Sequence, residues 1–239
     1  MTSKPDPPTQ ASMAKALNIK RQRSWPHYKL LRKDRWRKFI TTDEARIYLS
    51  DTNAKSKVQY LSRGQNRRDL TPSTTVPHPK GVMFWMGISA HVVTKRRFVK
   101  PGAKINSEYY IQKILKPFLK DDYCRLHPNG DAVFHQDSAP SHAYKVTQKF
   151  LTDQQVQFLR AEQWIPNSPD AAPCDYFLWG NVKNKLNKRR ISKLRGLQRA
   201  IREEMKKIPQ EIILGALKAW PKGCRQIYYV GGRHIEKYR

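Results

Sequence analysis

The sequence predicts an α/β fold, a mixed β-sheet flanked by helices with a C-terminal helical extension. Two observations support this prediction. Short or alternating apolar segments, typical of strands, dominate the first half of the chain, and apolar residues at helical spacing dominate the second half. A short apolar strand followed by a helix lies between them, at residues 132–151. This order favours one sheet with helices packed on its faces.

Six segments have the pattern of strands. In the longest of them, alternation places Phe39, Asp43 and Ile47 on one face. A polar, Pro-containing stretch, Ser62–Lys80, interrupts regular structure. The predicted strands are Phe39–Leu49, Lys57–Leu61, Val82–Ser89, Arg96–Val99, Ala132–Gln136 and Val156–Leu159.

Helices are predicted at Ser107–Leu119 and at Ser141–Leu151, with Ser141 as the N-cap. Towards the C-terminus, apolar residues recur at helical spacing up to Pro209 and continue beyond it. These residues are Leu194, Leu197, Ile201, Met205, Ile208, Ile213, Leu217 and Trp220.

The first 38 residues are predicted to lie outside the main domain. Residues 1–10 are polar and Pro-rich, which predicts disorder. The stretch Lys20–Lys38 contains nine Lys or Arg and one acid, Asp34, and reads as a basic linker. The folded domain is therefore predicted to span residues 39–239.

Charge points to nucleic acid as the partner. The chain has 47 Lys and Arg against 19 Asp and Glu, a formal net charge of +28, and such a surplus attracts polyanions. Membrane association is not expected, because the longest apolar run, Val82–Ala90, is too short to span a bilayer. The N-terminus has no apolar signal segment. The three cysteines form no CxxC pair and predict reduced thiols in an intracellular protein.

Three acids stand out by their positions. Asp43 lies in a strand on an apolar face, where an unpaired carboxylate is costly, unless the strand is an edge and Asp43 reaches water. Asp137 follows the apolar VFHQ segment at a strand end where ligand sites gather, although Asp-Ser-Ala-Pro is also good turn chemistry. Asp175 opens the apolar run YFLWG, where it could simply favour the positive end of a helix. Each acid alone is ambiguous.

The segments around these acids resemble a known family. TTDEARIYL, VFHQDSAPSH and WIPNSPDAAPCDYFLWG are similar to the three acidic motifs of mariner-like DNA transposases, and the ending GGRHIE is similar to the C-terminus of that family. The resemblance covers about residues 39–239. By motif, it assigns the family's three catalytic, metal-binding acids to Asp43, Asp137 and Asp175. It does not assign Asp170, in NSPD.

The resemblance implies a ribonuclease-H-like catalytic domain that cleaves DNA and joins strands. Two Mg²⁺ or Mn²⁺ ions would be bound, with Asp43 bridging both and with Asp137 and Asp175 each serving one, because hard oxygen ligands suit these ions. Water would be the first nucleophile and a freed 3′-hydroxyl the second, with transposon ends and a TA target as the DNA partners. No small-molecule cofactor is expected.

Other residues near the motifs have less certain roles. His142, five residues after Asp137, could contact a phosphate or orient a ligand, but a buried structural His is the commoner case. Trp164 and Trp179 are predicted to be core residues. Between Val182 and Lys207, eleven Lys or Arg predict a basic helix face suited to phosphates. The resemblance places an extended clamp between protomers at Ser62–Lys80.

The N-terminal region departs from the family pattern. Family members carry two helix-turn-helix modules before the catalytic domain, whereas residues 11–23 resemble only the first helix of one module. Weak or absent recognition of specific transposon ends is therefore expected. A catalytically idle DNA-binding protein derived from a truncated transposase is the alternative function. Short basic runs at 20–23 and 187–190 predict a nuclear location, and the sequence leaves open whether the chain forms a homodimer.

Overall fold

The structure is a computed structural model, and it describes residues 10–49, 80–91, 93–127, 130–165 and 168–235. The predicted strand Lys57–Leu61, nearly all of the Ser62–Lys80 stretch and residues 1–9 of the segment predicted to be disordered, 1–10, lie outside these ranges, whereas its last residue, Gln10, begins α1.

A mixed five-stranded sheet forms the centre of the described chain, with the strand order β3-β2-β1-β4-β5. β1 pairs antiparallel with β2 and parallel with β4, β2 pairs antiparallel with β3, and β4 pairs parallel with β5. The predicted mixed sheet is confirmed. The strands are β1 (Phe39–Tyr48), β2 (Gly81–Ser89), β3 (Arg97–Phe98), β4 (Val133–His135) and β5 (Gln157–Phe158).

Helices cover the sheet and extend beyond it. One of them, α2, alternates α-helical and π-helical turns from Ser107 to Leu126, and another, α5, joins a π-helical turn at Cys174–Trp179 to an α-helix at Gly180–Asn187. The remaining α-helices are α1 (Gln10–Leu31), α3 (Pro140–Ala143), α4 (Lys145–Asp153), α6 (Leu194–Lys206) and α7 (Gln210–Tyr229), and short 3-10 helices lie at Arg35–Lys38 and Pro169–Ala171. Pro140, with its fixed φ, opens α3, so the predicted N-cap role of Ser141 is wrong.

The two faces of β1 belong to two different hydrophobic clusters. Phe39 and Ile47 pack with α5, α6 and α7, whereas Ile40 packs with α2 and α4. Successive side chains of a strand point to opposite faces, and the predicted alternation is therefore confirmed. Asp43 shares its parity with Phe39 and Ile47, and Glu44 shares its parity with Ile40.

The segment predicted as a linker begins as part of a packed helix. α1 runs to Leu31, and its residues Lys20, Ser24, His27 and Leu31 are buried at helical spacing. The prediction of a linker between residues 20 and 31 is wrong, because basic composition hid an amphipathic spacing whose buried side includes a Lys, a Ser and a His. α1 packs against α7, where Trp25 contacts Tyr228 with ring centroids 4.9 Å apart.

Candidate active site

Strand register aligns the first two predicted acids. In the parallel pair of β1 and β4, Thr41 is opposite His135. Asp43, within β1, and Asp137, just past the end of β4, each lie two residues beyond this pair, and the charge of Asp137 contributes to raising the pKa of Asp43. Neighbouring strands are about 4.8 Å apart. Two acids separated by 94 positions in the numbering are therefore brought to one end of the central strands.

Asp43 is held by a tryptophan from α5. Its Oδ2 accepts a hydrogen bond of 2.6 Å from the indole Nε1 of Trp179, and its Oδ1 accepts one of 2.7 Å from the amide of Glu44. Trp179 is 6% exposed and packs edge-on against Phe84. The predicted core position of Trp179 is confirmed, and its indole N–H also fixes the orientation of a candidate catalytic carboxylate.

Asp137 forms a chain of polar contacts with His142 and Glu44. The Oδ1 atom of Asp137 is 2.6 Å from Nδ1 of His142 and accepts a 3.0 Å hydrogen bond from the amide of Ala139. Nε2 of His142 is 3.2 Å from Oε1 of Glu44. His142 is buried and stacks on Tyr110. The position of His142 between two acids goes beyond the packing role that the sequence favoured.

Glu44 was not identified from the sequence. It follows Asp43 in β1, and alternation sends it to the opposite face, where α2 and α3 lie. The signal that could have found it is the buried His142 on the short helix after Asp137, since a buried imidazole with acids on both nitrogens is stabilised in its charged form.

Asp175 lies in the first turn of α5, as predicted, and it is exposed. The amide of Asp175 donates to the carbonyl of Ala172 at 3.0 Å, which anchors the start of the helix. The preceding Cys174 is buried and its thiol lies 3.5 Å from the carbonyl of Thr41 in β1. This contact places the start of α5 against the strand that carries Asp43.

The charges of the three acids act on one another. Burial and the negative charge of Asp175 raise the pKa of Asp43 to about 8. Although Asp175 as a whole is exposed, partial desolvation of its carboxyl group and the charge of Asp137 raise its pKa, against the effect of a hydrogen bond to Asp43. Burial opposes ionisation of Asp137, but its hydrogen bond to His142 and the charge of that imidazolium hold its pKa below the ordinary value. Three mutually repelling carboxylates in one place are a setting that favours a bound cation.

His142 supplies positive charge between Glu44 and Asp137. Although burial lowers the pKa of His142, the charge of Glu44 and the hydrogen bonds that His142 donates to both acids raise it to about 10. The imidazolium therefore neutralises part of the acidic site near neutral pH.

The donors fit a divalent metal ion in chemistry but do not form a closed shell. Carboxylate oxygens are the ligands that Mg²⁺ and Mn²⁺ prefer. Among the described residues, however, no group of three or more His, Cys, Asp or Glu side chains has an arrangement that could hold a metal ion. Oδ2 of Asp43 is held by Trp179 and Oδ1 of Asp137 by His142, so each contact fixes the orientation of a candidate ligand.

Asp170 has a different environment. It is fully buried, and its Oδ1 lies 3.1 Å from Nζ of Lys20 in α1. Its Oδ2 accepts a 3.1 Å hydrogen bond from the amide of Ile235. Asp170 thus ties the third motif to α1 and to the chain near residue 235, in a structural position apart from the three acids. Trp164, 3% exposed, packs against His135 and is a core residue, as predicted.

The predicted basic face follows the third motif. α6 buries Leu197, Ile201 and Met205 and leaves Arg195, Arg199 and other cations exposed. The two acids of this region, Glu203 and Glu204, are paired with Arg189 at 2.8 Å and 3.2 Å. Across the described ranges, no helix is both long and apolar enough to cross a membrane.

Comparison with solved structures identifies the fold. A Mos1 transposase paired-end complex with the left transposon end has a TM-score of 0.76 and 21% identity, and the match covers 99% of this chain and 67% of that chain. The catalytic domain of Mos1 mariner transposase has a TM-score of 0.71 and 17% identity, with coverage of 98% and 100%. The chain has the ribonuclease-H-like fold of that catalytic domain, and the resemblance to mariner-like transposases is confirmed at this level.

Comparison of the sequence with known proteins finds a distant match over part of the chain. The human protein histone-lysine N-methyltransferase SETMAR is 26% identical over 169 residues, which cover 70% of this chain and 24% of SETMAR. The chain thus matches about a quarter of the length of that relative. No protein-family model matches the sequence.

Proposed function

We propose that this chain is a mariner-like transposase catalytic domain that cleaves DNA phosphodiesters and transfers the freed strand. The observation that carries the proposal is the convergence of Asp43 and Asp137 by strand register, with Asp175 close enough for its charge to raise the pKa of Asp43. The surplus of positive charge supports DNA as the substrate.

Asp43, Asp137 and Asp175 are the proposed catalytic residues and the proposed ligands of two Mg²⁺ or Mn²⁺ ions. Solved Mos1 structures with Mn and with Mg support a divalent ion. Such ions, when bound, activate an attacking oxygen and stabilise a leaving oxygen. Trp179 orients the carboxylate of Asp43, and His142 orients that of Asp137.

The finer features of the proposal concern partners and location. Mos1 complexes with transposon ends and a Mos1 strand transfer complex support transposon DNA as a partner. We further propose that the target DNA contains a TA dinucleotide, that the chain acts as a homodimer and that it is located in the nucleus. We assign the catalytic domain to residues 39–239, with α1 packed against it, and propose that residues 11–23 are a remnant of a helix-turn-helix module.

A second candidate is a DNA-binding protein without catalytic activity. Within the ranges that the structure describes, the candidate ligands do not form a closed metal shell, and this observation favours the second candidate. Both candidates predict DNA binding, so DNA binding alone does not distinguish them.

Nicking of supercoiled plasmid distinguishes the two functions. The full chain should convert plasmid to the nicked form with Mg²⁺ or Mn²⁺ and not with EDTA. Asp137→Ala should abolish nicking, whereas Asp153→Ala, at an exposed acid on α4 paired with Lys149, should retain it. Plasmid binding by both variants should match that of the wild type. If the wild type and both variants bind DNA but none of the three nicks it, the second candidate is supported and the first is refuted.

A further inference from the structure

A groove of about 450 Å³ lies between the end of α5 and the start of α6. Five of its lining residues are cationic: Arg189, Arg190, Lys193, Arg195 and Arg199. Its floor includes Ile191 and Ala200, which are buried. The groove is therefore a rigid concave surface with side-chain cations along its walls, and we call it the basic groove.

Three of these cations have no ionic partner among the described residues. Arg189 is neutralised by Glu203 and Glu204, and Arg199 lies 3.8 Å from Glu203. The structure records no ion pair for Arg190, Lys193 or Arg195, and all three are exposed. Uncompensated cations in a concave surface favour an extended anion, because each one can replace a counterion on a phosphate chain.

The basic groove is linked to the acidic site by one helix. α5 carries Asp175 in its first turn, and Arg189 and Arg190 follow just after its last residue. The π-helical turn has six residues and the α-helical part eight. At about 1.5 Å per residue α5 is about 20 Å long. Phosphates of one DNA strand repeat about every 3.4 Å along the axis, so a duplex lying along α5 would span about six base pairs over this length.

We propose that the basic groove binds the sugar-phosphate backbone of duplex DNA about six base pairs from the phosphodiester held at the three acids. α5 then fixes the distance between cleavage and backbone contact. The spacing rests on the proposed function, whereas duplex binding by the groove does not. Duplex DNA is favoured over an acidic protein because the net charge of the chain, +28, suits a long polyanion.

Binding is tested with Arg190→Ala/Arg195→Ala and a 30-base-pair duplex of arbitrary sequence. The affinity for DNA varies with the salt concentration raised to a power of about −0.9 for each phosphate contact. Each contact therefore contributes about eightfold to the affinity at 0.1 M salt. The double variant should lose about 60-fold in affinity, and its log–log salt slope should be shallower by about 1.8. The matched control, Lys218→Ala/Lys222→Ala, removes two exposed cations from α7 and should lose less than about fivefold, below one full contact.

The spacing is tested by tethering DNA to the groove. Cys124 is the exposed cysteine, and Cys174 and Cys224 are buried, so Cys124→Ser/Lys193→Cys offers one accessible thiol. A duplex with a thiol attached at one phosphate is trapped by a disulfide, Mn²⁺ is added, and the nicks are mapped. Nicks should cluster about five to eight base pairs from the tether, as expected from the length of α5. A tether at Lys222→Cys should show no such preference.

The outcomes separate the two proposals. Equal affinity loss in the groove variant and the α7 control would overturn the basic groove as a DNA contact. Preference of the groove for single-stranded DNA or RNA over the duplex would overturn the duplex assignment. Nicks at random distances from the tether would overturn the spacing. Absence of nicking in the untethered wild type, with the salt effect intact, would refute the proposed function and the spacing together while supporting the groove.

Discussion

The buried ion pair between Lys20 and Asp170 makes a quantitative prediction about α1. The two side chains are 6% and 0% exposed and lie 3.1 Å apart. Lys20→Met removes the cation and leaves a buried carboxylate without it. Removing one partner of a buried pair costs about 3–5 kcal/mol. For a protein of this size, each kcal/mol lowers the melting temperature by about 2–4 °C, so a decrease of about 6–20 °C is expected.

Thermal unfolding followed by tryptophan fluorescence or calorimetry measures this loss. The matched control is Lys149→Met, in an exposed pair with Asp153 whose side chains are 74% and 53% exposed. Exposed pairs contribute about 0–1 kcal/mol, so the control should melt within about 4 °C of the wild type. A double variant, Lys20→Met/Asp170→Met, should recover part of the loss because no buried charge remains at the site. Equal melting temperatures of Lys20→Met and the control would refute the claim that α1 is part of the fold.

Three further predictions follow from single contacts. Trp179→Phe removes the indole donor to Asp43. Since hydrogen bonds to charged groups contribute about 1.5–3 kcal/mol, the rate of nicking should fall about 10- to 100-fold while plasmid binding stays unchanged. An unchanged rate of nicking would exclude a role of Trp179 in positioning Asp43. Burial lowers the pKa of His27 to about 3 from 6.5, so the unfolded chain gains a proton first as pH falls, and stability decreases below pH 6.5. His27→Phe should remove about 2 kcal/mol of the loss in urea-unfolding free energy between pH 7.5 and pH 5, and an identical pH dependence in the variant would contradict this account. A Cβ at Gly87 would lie 2.5 Å from a side-chain carbon of β1, so Gly87→Ala should destabilise the protein by about 1–3 kcal/mol. The control Gly215→Ala, with open space on α7, should stabilise it by about 0.5–1 kcal/mol. Equal unfolding free energies of the two variants would contradict the packing of β2 on β1.

Much of the sheet could be predicted because its strands leave a periodic signal. β1 was predicted as Phe39–Leu49 and is observed as Phe39–Tyr48, since the alternation reflects real faces of the sheet. The pairing order could not be predicted from that signal. The register between β1 and β4 depends on packing between segments more than 90 positions apart, which local patterns do not encode.

The N-terminal helix shows what composition conceals. Lys20 appears in a basic run and suggests solvent exposure, yet it is buried because Asp170, far along the chain, supplies its counter-charge. Glu44 is similar, since nothing in its local sequence marks it until the fold brings it beside His142, which in turn contacts Asp137. Long-range polar pairs of this kind are invisible to spacing arguments, whereas the three aspartates were identified because their surrounding motifs are long and specific.

The location of bound Mn²⁺ in crystals of the full chain would test the central claim most directly. Anomalous scattering at the manganese edge should place the ion within about 2.0–2.3 Å of oxygens of Asp43 and of Asp137 or Asp175, with the Trp179 and His142 contacts retained. Manganese bound elsewhere at saturating concentration, or none at all, would contradict the assignment of these three acids as a metal site.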